Sequence, residues 1–162
     1  MKKNDARFLT AMFCDDIRQE IGGKLSFMGC YQGELIVPMA PVVLPKLCLY
    51  ATIWTPKDRP FKSLMLRVVQ DDDKELARLE IPEEGFAKVS LILDETATRK
   101  TVSTAIVFSP FAIEKPNSLR LMATTEEGEI IGPRLLIKVV AASETIAQPA
   151  IKPKRAKSRT AQ

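Results

Sequence analysis

The chain has no histidine, one tryptophan, two tyrosines and three cysteines in 162 residues. The missing imidazole excludes a Ser-His-Asp triad, a Cys-His dyad, His-ligated zinc and a histidine proton shuttle. Cys14, Cys30 and Cys48 are odd in number, lie in apolar runs and form no Cys-x-x-Cys pair. That pattern argues against a structural zinc site and reads as buried free thiols in a reducing compartment. No Gly-x-Ser-x-Gly elbow, Gly-rich phosphate loop or Gly-x-Gly-x-x-Gly fingerprint occurs. No apolar run approaches the ~20 residues of a membrane span. Lys2 and Lys3 open like a secretory signal, but Asp15-Asp16 closes the short apolar run 8–14, so no signal is expected. The absences point to a protein that is not an enzyme, with no cofactor and no metal.

What the chain does have is a displaced charge. Lysine and arginine number 24 against 20 aspartate and glutamate, a formal net charge of +4. Residues 144–162 hold five of the cations (Lys152, Lys154, Arg155, Lys157, Arg159) and one anion, Glu144. Removing them leaves 19 of each sign, so the body is neutral. A neutral body gives no composition-level case for a nucleic-acid groove or an anionic membrane surface. The expected organisation is one domain over residues 1–143 and a basic, Pro/Ala/Lys-rich disordered tail over 144–162.

The second positive feature is alternation of period two. Residues 46–55 place Leu47, Leu49, Ala51 and Ile53 on one face, against Cys48, Tyr50, Thr52 and Trp54. Similar patterns over 61–70, 87–93, 101–108, 118–123 and 134–140 predict strands with one face on a core. Residues 8–14 are nearly all apolar and predict a central strand or one buried on both faces. Shorter strands are expected at 25–31, 35–39 and 76–81, while 15–20 reads as a helical turn or a continued strand. Turn residues separate them at Gly22-Gly23, Asp71-Asp72-Asp73 and Glu126-Glu127-Gly128, the last closing a terminal hairpin. The expected fold is all-β: an antiparallel, immunoglobulin-like β-sandwich, with a partly closed barrel as the alternative.

Candidate chemistry is sparse. Asp71-Asp72-Asp73 lacks the Asp-x-Asp-x-Asp spacing of a calcium loop and reads as a solvated turn. Asp15, Asp16, Arg18 and Glu20 form either a recognition patch or an ion-pair network closing one end of the sandwich. Tyr50 and Trp54 are either core packing or an exposed aromatic anchor. The five cations of the tail form a candidate polyanion-binding arm.

One stretch carries a resemblance: Cys14-Asp15-Asp16-Ile17-Arg18-Gln19-Glu20, then Gly22-Gly23-Lys24-Leu25-Ser26, Gly29, Tyr31 and Gly33. With Leu44-Pro45-Lys46-Leu47 and Asp58-Arg59-Pro60-Phe61, it resembles an uncharacterised family of small bacterial and phage proteins over roughly residues 8–140. The resemblance implies a bacterial or phage source and no catalytic residues. The expected function is a non-enzymatic protein-interaction module in the cytoplasm of a bacterial or phage-infected cell. Its partner is an unknown host protein or a second copy, with no membrane involved. The alternatives are a phage structural or assembly component, or an accessory nucleic-acid binder making weak contact through the tail.

Overall fold

The alternation over 46–55 folds as expected into a ten-residue strand whose inner side chains, Leu47, Leu49, Ala51 and Ile53, are fully buried. A computed structural model of the chain describes residues 6–82, 85 and 97–140. The first described strands are β1 (Phe8–Cys14), β2 (Asp16–Gln19), β3 (Leu25–Met28), β4 (Glu34–Val37), β5 (Val42–Leu44) and β6 (Leu47–Pro56). They continue as β7 (Leu64–Gln70), β8 (Lys74–Ile81), β9 (Arg99–Phe108), β10 (Phe111–Ile113), β11 (Asn117–Thr125) and β12 (Gly128–Val139). The strand expected at 87–93 and the basic residues Lys152, Lys154, Arg155, Lys157 and Arg159 lie outside the described residues.

Two sheets share one core. A three-stranded sheet runs in the order β1-β6-β9, and a five-stranded sheet in the order β4-β12-β11-β7-β8. Leu9, Phe13, Leu49, Ile53 and Val102 of the first pack with Leu35, Leu66, Val68, Leu121 and Ile137 of the second. Burial of such side chains, at about 25 cal/mol per Å² of apolar surface, is the main force holding the layers together. The pairs β5–β10 and β2–β3 form two further two-stranded sheets.

The chain is thus all-β, but its strand directions are mixed. Among the described residues every pairing is antiparallel except β12 with β4, which runs parallel in the register Leu136–Glu34 to Val139–Val37. Of the two readings of segment 15–20 the strand holds: Asp16–Gln19 form β2. The strand β1 is not buried on both faces: Leu9 and Phe13 point into the core, while Phe8 and Met12 are 40% and 42% exposed. Strand β1 also lies against β12 at Gly132, where a Cβ would meet Leu121 O at 2.6 Å and Leu9 Cδ2 at 2.7 Å. Only glycine lets the strands close there. The β11–β12 register shifts between Arg120 and Met122, and Pro133 falls in that irregular stretch, where no ladder donor is required.

At one end the two sheets are tied by charge. The Arg7 side chain is 4% exposed, and its Nη2 lies 2.5 Å from Glu126 Oε1 and 3.3 Å from Glu127 Oε1. Its Nε donates to Thr55 Oγ1 at 3.0 Å, and Nη2 also donates to the Arg59 and Pro60 carbonyls. The guanidinium lies 4.7 Å from the centre of the Phe61 ring. Glu126 in turn accepts the backbone N–H groups of Lys62 and Ser63 through Oε2, at 3.1 and 3.2 Å. Burial opposes its charge, but the bonds from Arg7 and these amides outweigh burial and hold the carboxyl at about 2. The residue before β1, the end of β6, the loop into β7 and the β11–β12 turn therefore meet at one ion pair.

Replacing Glu126 by glutamine should cost about 2–3 kcal/mol in chemical denaturation at pH 7, somewhat below the ~3–5 expected when a buried charge loses every partner, because Glu127 remains. The folded value of Glu126 lies below its ordinary 4.5, so its stabilisation is complete above about 4.5 and is lost as pH falls toward about 2. The gap between the native chain and Glu126→Gln should narrow as unfolding is repeated at successively lower pH through that window.

Candidate functional site

The outer face of the β1-β6-β9 sheet can be read row by row from its register. Phe8, Trp54 and Thr101 form the first row, and Thr10, Thr52 and Ser103 the second. Met12, Tyr50 and Ala105 form the third, and Cys14, Cys48 and Val107 the fourth. None of these twelve positions carries a charge. Val107 is 53% exposed, alongside exposed Phe8 and Met12, while Tyr50 and Trp54 are half-buried. Phe8 stacks on Trp54 with ring centres 5.6 Å apart and an angle of 13°, and the Arg99 guanidinium lies 5.1 Å from the Phe8 ring. Thr52 and Ser103 hydroxyls meet at 3.2 Å across the strands. The result is an apolar and hydroxyl-bearing sheet face with aromatic rings along β6.

The outer face of the five-stranded sheet is built differently. Arg120 and Arg134 stand directly opposite each other, as do Arg67 and Arg78. Like charges in that position repel. Each is answered by an acid: Asp72 lies 2.6 Å from Arg120 and 3.4 Å from Arg134, Glu129 2.5 Å from Arg67, and Glu75 2.9 Å from Arg78. Asp71-Asp72-Asp73 is the β7–β8 turn, as its composition predicts, and Asp71 accepts from the Ser118 backbone at 2.8 Å. This face carries ion pairs, with Ile36, Ile131 and Leu136 exposed among them.

The polar segment 15–20 forms a corner beside the apolar face. Asp15 Oδ1 accepts the Tyr31 hydroxyl, and Asp15 N donates to Met28 O at 2.9 Å. Burial first, and then the Asp15 carboxylate, push the Tyr31 phenol up. Gly29 makes room: its φ is +64°, and a Cβ there would lie 2.0 Å from Asp15 Oδ2. Asp16 lies 2.7 Å from Lys46 Nζ and 3.1 Å from Arg18 Nε. Those two bonds, Lys46 first, hold its carboxyl below the usual range. Glu20 contributes its backbone, donating to Lys24 O at 2.8 Å across the β2–β3 turn. The hairpin meets the sheet where Phe27 packs edge-on against Tyr50, with ring centres 5.1 Å apart. Tyr50 is therefore next to the 15–20 corner, whereas Trp54 sits with Phe8 at the far end of β6.

The family match covers residues 9–137, most of the described structure. The chain belongs to DUF6941, a family of unknown function. No curated protein matches it. The DUF6941 region includes both sheets and the β2–β3 corner, and it ends within β12. Within this DUF6941 chain no group of three or more Cys, Asp or Glu is gathered to hold a metal ion, among the described residues. Among the same residues no helix is long and apolar enough to cross a membrane.

Sequence reasoning missed Phe8 and Met12 as surface residues. Phe8 and Met12 were hidden in an unbroken apolar run; their period of two relative to Leu9 and Phe13 was the available signal. Cys30 is also exposed, against the expectation of three buried thiols. Replacing Tyr31 by phenylalanine should cost about 1–2 kcal/mol, because Asp15 loses a charged hydrogen bond. Gly29→Ala should cost more, since it adds a strained φ and displaces Asp15. Urea unfolding of both variants checks the order.

Proposed function

We propose that this protein is a non-enzymatic protein-interaction module that docks a protein partner on the outer face of the β1-β6-β9 sheet. The observation that carries the reading is the uncharged set of cross-strand rows, with Phe8, Met12 and Val107 exposed at its margins and Trp54 and Tyr50 between them. Contiguous apolar surface of this kind is unusual on a free sheet, and aromatic anchors dominate binding energy where they become fully desolvated. The four rows carry no cation, and Arg99 beside them is engaged by the Ala6 carbonyl and the Phe8 ring, which favours protein over nucleic acid as the ligand. The paired arginines of the opposite sheet supply the contrast within the same molecule. A docked partner would bury the apolar rows and find hydroxyl groups at Thr10, Thr52 and Ser103 for hydrogen bonds.

The test compares three exposed apolar positions. Met12→Asp and Val107→Asp place a charge in the proposed face; Ile131→Asp, at a residue 65% exposed, places one on the opposite sheet. In affinity capture from the source cell, with self-association followed by sedimentation, the first two should reduce bound partner at least about tenfold, the equivalent of ~1.4 kcal/mol. Ile131→Asp should leave it unchanged. Equal retention by all three variants would refute the assignment of the face.

A further inference from the structure

All three cysteines are distant in sequence, yet the fold gathers them at one end of the outer sheet face. Cys14 of β1 and Cys48 of β6 are register partners. Residues directly opposed on antiparallel strands stand with Cα atoms about 4.5–5.5 Å apart and project side chains from the same face. Disulfides span Cα separations of about 4.4–6.8 Å, the range that directly opposed strand partners occupy. Both thiols are free and buried. Each donates to a carbonyl of the turn that covers them: Cys14 Sγ to Asp16 O at 3.5 Å, and Cys48 Sγ to Asp15 O at 3.7 Å. Cys30 lies to one side, exposed, with its sulfur 3.4 Å from Met12 Sδ.

We propose that Cys14 and Cys48 are a cross-strand dithiol site, oxidised to a disulfide by a low-molecular-weight disulfide such as glutathione disulfide. One cysteine releases its proton to water, and the thiolate attacks a sulfur of the oxidant. A protein–oxidant mixed disulfide forms, and one small thiol leaves. The second cysteine then loses its proton and attacks the protein-side sulfur, closing the Cys14–Cys48 bond and releasing the second small thiol. Two protein thiols give up two protons and two electrons; the small disulfide is reduced to two thiols. The oxidant reaches the pair when the Asp15-Asp16 turn lifts from the sheet, because the two carbonyls of that turn hold the sulfurs.

The electrostatics agree with the direction of this chemistry. Burial, with the neighbouring Cys48 and Cys30 thiols adding to it, pushes the Cys14 thiol up to about 11. A reduced pair in this setting gains no stabilisation as thiolate, the factor that makes strongly oxidising dithiols resist closure. The high value also makes the first attack slow near neutral pH, so the reaction should accelerate as pH rises.

The test is made on the full chain in its native state. It is incubated with glutathione disulfide at pH 8, then quenched in denaturant with an alkylating agent and mapped by mass spectrometry. The expected product joins the Cys14 and Cys48 peptides, leaves Cys30 outside the link, and returns to three free thiols on addition of dithiothreitol. Cys30→Ser should give the same link at a similar rate. Cys48→Ser should give none while Cys14 remains unlinked. Alkylation of both Cys14 and Cys48 after Cys30 has acquired glutathione would overturn the proposal, as would a link that runs to Cys30.

Discussion

The ion pair of Arg7 with Glu126 is the constraint on which the rest of the arrangement depends. A guanidinium that is 4% exposed cannot be left without an anion, because several kcal/mol of hydration are lost on burial. Glu126 supplies that anion from the β11–β12 turn and also accepts two amides of the loop entering β7. Arg7 immediately precedes β1, so the pair sets where that strand begins against β6. A strand moved by one residue would send Leu9 and Phe13 outward and Phe8 and Met12 inward. The apolar outer face therefore exists in its present form because one charge pair, with Gly132 opposite Leu9, holds β1 in place.

The two sheet faces divide labour. On the five-stranded sheet, every arginine of the central rows meets a carboxylate, and the charges are consumed within the molecule. Such surface pairs add little stability singly but keep a face soluble. On the three-stranded sheet the four rows from Phe8–Trp54–Thr101 to Cys14–Cys48–Val107 carry no charge, and Arg99, opposite Pro56 at the end of the face, lies over the Phe8 ring. The proposed docking role accounts for that asymmetry. It also places the β2–β3 corner, pinned by Asp15 to Tyr31 and by Asp16 to Lys46, as one wall of the face.

Much of the fold was legible in local periodicity. The faces of β6, the turn at Asp71-Asp72-Asp73 and the terminal hairpin follow directly from residue order. The three-residue strands β5 and β10 were not legible, since three residues show no period. Nor was the parallel pairing of β4 with β12, which joins segments about a hundred residues apart and leaves no local trace. The site was less legible than the fold. Asp15, Asp16, Tyr50 and Trp54 stood out by type, but the uncharged rows form only when β1, β6 and β9 are laid side by side. Glu126 looked like an ordinary turn acid; its role depends on Arg7, at the other end of the domain. The convergence of Cys14, Cys30 and Cys48 is likewise a product of register, invisible in their spacing.

A double-mutant cycle on Arg7 and Glu126 addresses the controlling constraint most directly. Arg7→Ala, Glu126→Gln and the double variant would be unfolded with urea at pH 7, alongside the native chain. Strong coupling is expected, about 1–3 kcal/mol, with the double variant much less destabilised than the sum of the two single losses. Strictly additive losses would show that the two side chains act independently, and would contradict the view that their pairing holds β1 and its outer face in register.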